Sequence, residues 1–330
     1  MILALRLIRH TIALIFLISI ANVCLLFGVV IRLFSEDGSW ELACWTGNWF
    51  WTYMQNHWEN NLHAKDAVEV SGDEIPEGES AFVISNHLGY SDYYLFQYLS
   101  SRAGMMGNSR YFVKKEILRI PFFGLAFWSM GMILVSRNWT NDQRLIEQAF
   151  QRIKTNEHPC WIVLCPEGTR RTNTKLLKSQ AFAREKGKQE LKHVLFPRTK
   201  GFLSTVQALR DSHIKYIYDL TLLYRSPGSE KNKWKVPSLA EQLNCKDLSR
   251  KGYKYKVHVK RIPISELPED EDSLKVWCEI LWKAKDDLLD SWMNNEYEGI
   301  RDVKIGIKGG KKLKGINGFD HHIGNGHLTF

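Results

Sequence analysis

The stretch from Ala81 to Asp92 constrains the fold most, because an apolar run gives way abruptly to polar residues. Residues 81–85 have the composition of a short buried strand, and the residues around Asp92 are a helix-start signal. On one straight helix, His87 and Asp92 would point roughly 140° apart and could not meet. At a strand–loop–helix corner they can meet, and Gly89 supplies the backbone freedom that such a corner needs.

A histidine held by a carboxylate at the carboxyl end of a strand is the arrangement of a general base. The same two residues would also occur if His87 simply formed a hydrogen bond beside a helix cap. The pair alone therefore leaves a catalytic and a structural interpretation open, and further motifs are needed to decide between them.

Short apolar runs alternate with helical periods from about residue 79 onward. The runs that are typical of strands are residues 81–85, 161–165, 193–196, 214–224 and 255–259. Between and after them, apolar residues recur at helical spacing over residues 145–153 and 274–292. Strands that alternate with helices indicate an α/β domain with a largely parallel sheet flanked by helices.

The amino-terminal part of the chain predicts a membrane anchor. Residues 11–31 carry no charge and are long enough to span a hydrocarbon core of about 30 Å. The run ends at Arg32 without the cleavage site of a signal peptide, so we expect it to be uncleaved. Residues 39–58 contain five tryptophans, which favour the headgroup level of a bilayer; an aromatic core helix is the alternative. Together the two segments predict a membrane-anchoring helix pair.

These patterns predict four segments. Residues 1–35 form a transmembrane or re-entrant anchor, and residues 36–78 form a Trp-rich interfacial helix and linker. Residues 79–300 form the α/β domain. Residues 301–330 form a basic, Gly- and Lys-rich tail whose composition is typical of disorder. Within the domain, residues 121–135 lack charge but are too short to span a bilayer, which leaves a buried helix or a lipid-facing surface.

Charge and cysteine spacing narrow the possible partners. The formal net charge of +9 indicates an anionic partner, such as a phospholipid head group, nucleic acid or a phosphorylated substrate. The six cysteines form no Cys-x-x-Cys pair and no metal-ligand spacing with histidine, so we expect no metal site and no disulfide framework. No nucleic-acid-binding motif accompanies the basic tail, so we expect no nucleic-acid partner.

A second polar corner follows the predicted strand at residues 161–165. It places Glu167 and Arg170 at the carboxyl end of that strand, where open α/β sheets build their sites. Arg170 has the planar fork that suits a phosphate, and Gly168 allows a ligand to approach closely. A generic turn with exposed charges is the alternative.

Four motifs in this order resemble those of the glycerolipid acyltransferase family. They are Asn86-His87-Leu-Gly-Tyr-Ser-Asp92, similar to the family's catalytic Asn-His-x4-Asp, residues 114–124 with 131–137, residues 165–170, and residues 195–202. The fourth motif, with residues 218–221, resembles the eukaryotic branch that holds lysophosphatidate, lysophosphatidylinositol and lysocardiolipin acyltransferases. The resemblance covers roughly residues 79–260. It departs from the family at Gly89, where many members have a polar residue, and at Cys165, where an aromatic is usual.

The resemblance implies an O-acyltransferase that esterifies the free hydroxyl of a lysophospholipid, with lysophosphatidic acid or lysophosphatidylinositol as the acceptor. It implies that His87 is the general base, that Asp92 orients it, and that no covalent acyl-enzyme forms; the chain also has no Gly-x-Ser-x-Gly elbow. Acyl-CoA would be a co-substrate, and no resident cofactor is expected. The implied substrate-binding residues are Asn86, Lys115, Arg137, Glu167, Gly168, Thr169, Arg170 and Lys200.

Two alternatives to this function remain open. A glycerol-3-phosphate or lysocardiolipin acyltransferase would share the fold but use another acceptor. A catalytically silent membrane lipid-binding protein would keep the fold without the reaction, although the presence of both His87 and Asp92 argues against it.

The expected location is a membrane, that of the endoplasmic reticulum, with the catalytic domain facing the cytosol. Two arginines before the anchor and Arg32 after it favour a cytoplasmic amino terminus, and a single span would then put the domain in the lumen. A re-entrant or interfacial helix pair would return the chain to the cytosolic face. Asn138-Trp-Thr is a glycosylation acceptor only in the lumen, so we expect Asn138 to be unmodified.

Overall fold

The structure is a computed structural model that describes residues 2–120, 123–136, 139–228 and 235–294. Arg137, Asn138 and the predicted tail at 301–330 lie outside these ranges.

The described residues form a seven-stranded sheet with helices around it. The strands are β1 (Val68–Gly72), β2 (Ala81–Ser85), β3 (Ser109–Lys114), β4 (Ile133–Val135), β5 (Trp161–Leu164), β6 (Tyr216–Arg225) and β7 (Lys254–Pro263). The helices are α1 (Ile2–Ile31), α2 (Glu36–Asn56), α3 (Asp92–Arg102), α4 (Phe123–Ser129), α5 (Trp139–Asn156), α6 (Asn173–Glu185), α7 (Thr199–Leu209), α8 (Leu239–Leu243) and α9 (Glu271–Met293). Short 3-10 turns cover Ala64–Ala67, Lys115–Arg119 and Ile264–Glu266, and one π turn covers His57–Asn61.

The sheet confirms the predicted largely parallel α/β architecture. Its strand order is β1-β7-β6-β2-β5-β3-β4, and the strands from β6 to β4 are parallel to one another. β7 pairs antiparallel with β6, and β1 pairs parallel with β7. Every residue of β2 is buried, as expected for a central strand that is covered on both faces. Because β2, β3, β5 and β6 are parallel, their carboxyl ends meet at one edge of the sheet.

One predicted strand is wrong: residues 193–196 form no strand. Their backbone N–H groups bond to side chains instead of a neighbouring strand. The carboxylate of Asp286 on α9 accepts from the N–H groups of His193 (2.6 Å) and Val194 (3.2 Å), and Ser179 Oγ accepts from Phe196 (2.7 Å). The short apolar run is therefore a buried loop whose backbone polar groups are satisfied locally.

The two predicted helical faces are present, with different starts. Ile146 and Phe150 of α5 are buried, whereas Leu145 is exposed. From the sequence, Ser273 is the expected start of the last helix, but the helix begins at Glu271, because the side chain of Asp270 caps it by accepting from the N–H of Ser273 at 2.8 Å.

The amino-terminal helices α1 and α2 pack against each other, and α1 also packs against α4. Among the residues that the structure describes, one helix is apolar and long enough to cross a membrane by length and composition, at Thr11–Ile31 within α1. One side of α1 leaves large apolar residues exposed, including Phe16 at 65% and Phe27 at 63%. The opposite side buries Ile18 and Leu25.

The Trp-rich segment is divided between surface and core. Trp45 is 60% exposed, whereas Trp58 is fully buried. Trp58 stacks on Tyr94 of α3 and meets Tyr255 of β7 edge-on. β1 also lies within the segment 36–78 and forms an edge of the sheet. The end of this segment is therefore part of the core of the domain.

Candidate active site

Asn86 follows directly after β2, and its side chain joins the corner to the neighbouring strand β6. Its side chain is fully buried. Its Nδ2 donates to the carbonyl of Leu222 at 3.0 Å, and its Oδ1 accepts the N–H of Leu222 at 2.8 Å. This two-way bond to the backbone of β6 fixes the position at which the chain leaves the sheet. The structure therefore uses both amide atoms of Asn86 for the corner.

His87 and Asp92 meet at the corner, as their spacing predicted. The distance from His87 Nδ1 to Asp92 Oδ2 is 2.7 Å. Asp92 is fully buried, whereas the side chain of His87 is 16% exposed. Because a carboxylate only accepts hydrogen bonds, the pairing keeps the proton of the neutral imidazole on Nδ1. The other ring nitrogen, Nε2, is then free to accept a proton.

The carboxylate of Asp92 accepts hydrogen bonds from three further donors. The backbone N–H of Leu88 donates to Oδ2 at 2.8 Å, and that of Gly89 donates to Oδ1 at 3.0 Å. The hydroxyl of Tyr224 on β6 donates to Oδ1 at 2.6 Å. Such a set of donors stabilises a buried negative charge that would otherwise be costly. The sequence gives no signal for Tyr224, because only the pairing of β6 with β2 brings it to the corner.

The second polar corner lies directly against the first. Glu167 is 2% exposed, and its Oε1 accepts the backbone N–H of His87 at 3.3 Å. The backbone N–H of Arg171 donates to the carbonyl of His87 at 2.7 Å. Burial raises the pKa of Glu167 to about 8, against the opposing effect of backbone donors from His87 and Leu195. Residues 166–171 thus hold the backbone of the histidine from both sides.

Several basic side chains surround the paired corners. Arg170 is exposed and lies over the ring of Tyr90, with its guanidinium carbon 4.1 Å from the ring centroid. Lys175 Nζ donates to the hydroxyl of Thr169 at 2.5 Å. Burial lowers the pKa of the partly buried Arg171, while the group keeps its charge at neutral pH. The predicted phosphate-binding residues 169 and 170 therefore lie beside the histidine.

Gly168 and the start of α7 form the far side of this basic surface. Gly168 has a φ of +65°, and a Cβ there would lie 3.1 Å from Arg198 Cδ. The N–H of Arg198 donates to the carbonyl of Pro166 at 2.8 Å. Lys200 is exposed in the first turn of α7. Arg171, Lys175 and Arg198 were not among the predicted site residues, although Arg171 and Arg198 stand inside or next to the motifs.

The remaining predicted residues are placed differently. Lys115 is exposed in the 3-10 turn after β3, on the same edge of the sheet as His87 but two strands away from β2. Arg137 lies outside the described residues. Cys165 directly follows β5 and lies next to the corner. Burial and the carboxylates of Asp92 and Glu167 raise the pKa of its thiol well above the usual range.

The structure thus brings a histidine–carboxylate pair and basic side chains together at the carboxyl edge of an α/β sheet, where sheets of this kind build their sites. Comparison with known proteins gives the family. The Acyltransferase family model matches residues 67–224, and the model of the Acyltransferase C-terminus matches residues 247–305.

Two relatives in sequence support the same assignment. A probable 1-acyl-sn-glycerol-3-phosphate acyltransferase 5 of Arabidopsis thaliana is 31% identical over 298 residues, which cover 88% of this chain and 75% of the relative. The 1-acyl-sn-glycerol-3-phosphate acyltransferase delta of Homo sapiens is 34% identical over 208 residues, 63% of this chain and 52% of the relative. A crystal structure of the 1-acyl-sn-glycerophosphate (LPA) acyltransferase PlsC of Thermotoga maritima aligns with 87% of this chain and 98% of that chain, with a TM-score of 0.45 and 15% identity. The family models and the 31% identical relative show that the chain belongs to the glycerolipid acyltransferase family, which confirms the resemblance in its motifs.

Proposed function

We propose that this chain transfers an acyl group from acyl-CoA to the free hydroxyl of a lysophospholipid, with lysophosphatidate as the preferred acceptor. The choice of acceptor is supported by the names of the relatives, which are 1-acyl-sn-glycerol-3-phosphate acyltransferases. The observation that carries the mechanism is the 2.7 Å contact between His87 Nδ1 and Asp92 Oδ2. It leaves Nε2 as the proton acceptor on the partly exposed side of the ring.

The reaction proceeds in two proton-transfer steps. The acceptor hydroxyl attacks the thioester carbonyl carbon while its proton moves to Nε2 of His87, which gives a tetrahedral oxyanion and an imidazolium. The intermediate then collapses, the carbon–sulfur bond breaks, and the departing thiolate takes the proton from Nε2. The products are the new ester and free CoA. Asp92 stabilises the imidazolium between the two steps without itself taking the proton.

The acyl group passes directly to the acceptor in this scheme. The thiol of Cys165 interacts electrostatically with Asp92, and its raised pKa keeps it in the protonated form, which is a poor nucleophile. A covalent acyl-enzyme at Cys165 is therefore disfavoured. No resident cofactor takes part, and acyl-CoA is a co-substrate.

The acceptor phosphate binds at the basic surface beside His87. Arg170 provides an exposed planar fork, and the Gly168 backbone with the hydroxyl of Thr169 provides room and a polar contact. Glu167 acts by holding the backbone of this corner. Lys200 contributes charge at the start of α7. The roles of Arg137 and Lys115 rest on the motif resemblance alone.

A panel assay tests the proposed function. Purified full-length protein is supplied with one labelled acyl-CoA and separately with lysophosphatidate, lysophosphatidylinositol, lysocardiolipin and glycerol 3-phosphate. We expect labelled phosphatidate to form fastest. Faster labelling of another acceptor would identify that acceptor as the preferred substrate. Binding of a lysophospholipid without any labelled product would support the alternative of a catalytically silent lipid-binding protein.

We also propose that the chain resides in the membrane of the endoplasmic reticulum with its catalytic domain on the cytosolic side, where acyl-CoA is made available. Support comes from the apolar stretch Thr11–Ile31 and from the packing of α2 against α1. The acceptor sequence at Asn138 reports the orientation. A glycosidase-sensitive mass shift that Asn138→Gln abolishes would place the domain in the lumen.

A further inference from the structure

Tyr224 is a buried phenol on the side of Asp92 that faces away from the histidine. It lies near the end of β6 and is fully buried. Its hydroxyl donates to Asp92 Oδ1 at 2.6 Å, while His87 Nδ1 contacts Oδ2 at 2.7 Å. The two side chains therefore bind opposite oxygens of one carboxylate, and the three groups form a continuous chain from β6 to the imidazole.

The position of Tyr224 is fixed independently of the corner. It is paired with Tyr255 across the antiparallel β6–β7 ladder, and the two rings pack edge-on with their centroids 5.6 Å apart. Burial and the neighbouring Asp92 raise the pKa of Tyr224 well above its ordinary value. The phenol therefore stays protonated and donates its hydrogen bond to Asp92 throughout the pH range of the assay.

We propose that Tyr224 is a positioning residue for acyl transfer, which holds the plane of the Asp92 carboxylate and weakens that carboxylate as the partner of the His87 ring. This inference rests on the proposed function. The hydroxyl of Tyr224 draws part of the carboxylate charge toward Oδ1, and Oδ2 is left as a weaker partner for the imidazolium.

Removal of this hydroxyl has two separate effects. The charge of Asp92 is no longer shared with a phenol, so it stabilises the His87 imidazolium more strongly. The acid limb of the pH–rate profile therefore moves to higher pH. The carboxylate also loses one of its fixed donors, so the imidazole is held less firmly and the limiting rate falls. A loss of packing alone would lower the amount of folded enzyme but would not move the acid limb.

Other ionisable groups lie around the pair. Tyr93, Cys165 and Glu167 interact electrostatically with Asp92, whereas Arg170, Tyr255 and Lys285 interact with Tyr93, Tyr224 and Glu167, respectively. A substitution at position 224 leaves all of them in place. The difference between variant and wild type therefore reports the Tyr224–Asp92 bond, even though the wild-type profile reports every group together.

The test compares Tyr224→Phe with the matched variant Tyr255→Phe. Each substitution removes one buried hydroxyl from the same pair of packed rings, but the hydroxyl of Tyr255 donates to Gln242 Oε1 at 2.9 Å and not to Asp92. Acyl transfer from a labelled acyl-CoA to lysophosphatidate is measured from pH 5 to 9, with kcat and KM determined per folded protein. For Tyr224→Phe we expect kcat to fall about tenfold, KM for both substrates to be retained, and the acid limb to rise by about 0.5–1 pH unit. For Tyr255→Phe we expect the wild-type acid limb.

The possible outcomes separate this inference from the proposed function. If Tyr224→Phe has the wild-type acid limb, or if both variants shift it equally, Tyr224 is only a packing residue and the inference is overturned. If the change lies in KM alone, Tyr224 acts on binding and the inference is equally overturned. If His87→Ala retains the wild-type rate, the proposed mechanism fails whatever Tyr224→Phe shows.

Discussion

Oε1 of Glu167 accepts the backbone N–H of His87 at 3.3 Å. Through this bond, the second polar corner of the chain supports the backbone of the first. Its second oxygen, Oε2, is buried and has no hydrogen-bond partner among the described residues. The carboxyl of Glu167 is thus an internal brace between two loops as well as a neighbour of the basic surface.

The raised pKa of Glu167 predicts that the stability of the folded chain depends on pH. The pKa of Glu167 is raised from 4.5 to about 8 by burial, so between these values the folded chain binds more protons than the unfolded chain. The free energy of unfolding contributed by this group is therefore fully present below about pH 4.5 and is lost as the pH rises toward 8. Glu167→Gln keeps an acceptor for His87 but cannot ionise. We expect its stability relative to wild type to increase from pH 5 to pH 8 in urea unfolding, whereas a constant difference would contradict the raised pKa.

Gly89 is one of the two positions at which the motifs depart from the family pattern, and the packing of Val236 against it explains this departure. A Cβ at position 89 would lie 2.9 Å from Val236 Cγ1. We expect Gly89→Ala to cost about 1–2 kcal/mol of stability, and Val236→Ala in the same chain to recover most of that cost. A double-mutant cycle measures the coupling directly. Additive effects of the two substitutions on stability would show that contact with Val236 is not the reason that position 89 requires glycine.

Arg170 is expected to bind the acceptor rather than take part in proton transfer. Arg170→Lys keeps the charge but loses the planar fork, so KM for lysophosphatidate should rise about tenfold with little change in kcat. Arg184, which pairs with Glu190 at 2.7 Å on the surface, supplies the control Arg184→Lys. An effect confined to KM for acyl-CoA would assign Arg170 to the other substrate.

The two ends of the Trp-rich segment are expected to differ in function. Trp58→Ala removes a fully buried ring and should cost about 3–5 kcal/mol of stability. Trp45→Ala removes a ring that is 60% exposed, so it should leave stability nearly unchanged and weaken binding to phospholipid vesicles. Similar losses of stability in both variants would mean that the whole segment belongs to the core.

The sequence was most informative where one local pattern decides the structure. The apolar run of β2 and the polar residues after it predicted both a central strand and the contact of His87 with Asp92. The strand predicted at residues 193–196 was wrong, because the backbone there bonds to the side chains of Asp286 and Ser179 rather than to a strand. No local pattern in the sequence distinguishes such a buried loop from a strand.

Long-range partners could not be predicted in the same way. β1 is a half-exposed edge strand and β4 has three residues, so neither has a strong pattern of its own. Tyr224 meets Asp92 across 132 positions of the chain, and only the strand order brings them together. Trp58 likewise cannot be distinguished by sequence from the other tryptophans of residues 39–58, and its packing against Tyr94 and Tyr255 sets it apart.

The general-base role of His87 is tested most directly by comparing two histidines. His193 also pairs with a carboxylate, at 2.7 Å from Asp290, and its side chain is 16% exposed, as is that of His87. Acyl transfer from labelled acyl-CoA to lysophosphatidate is measured for His87→Ala and His193→Ala, with folding checked by the thermal transition. We expect His87→Ala to lose about 10²–10⁴-fold in kcat while remaining folded, and His193→Ala to retain the wild-type kcat. A folded His87→Ala protein with near-wild-type turnover would contradict the mechanism.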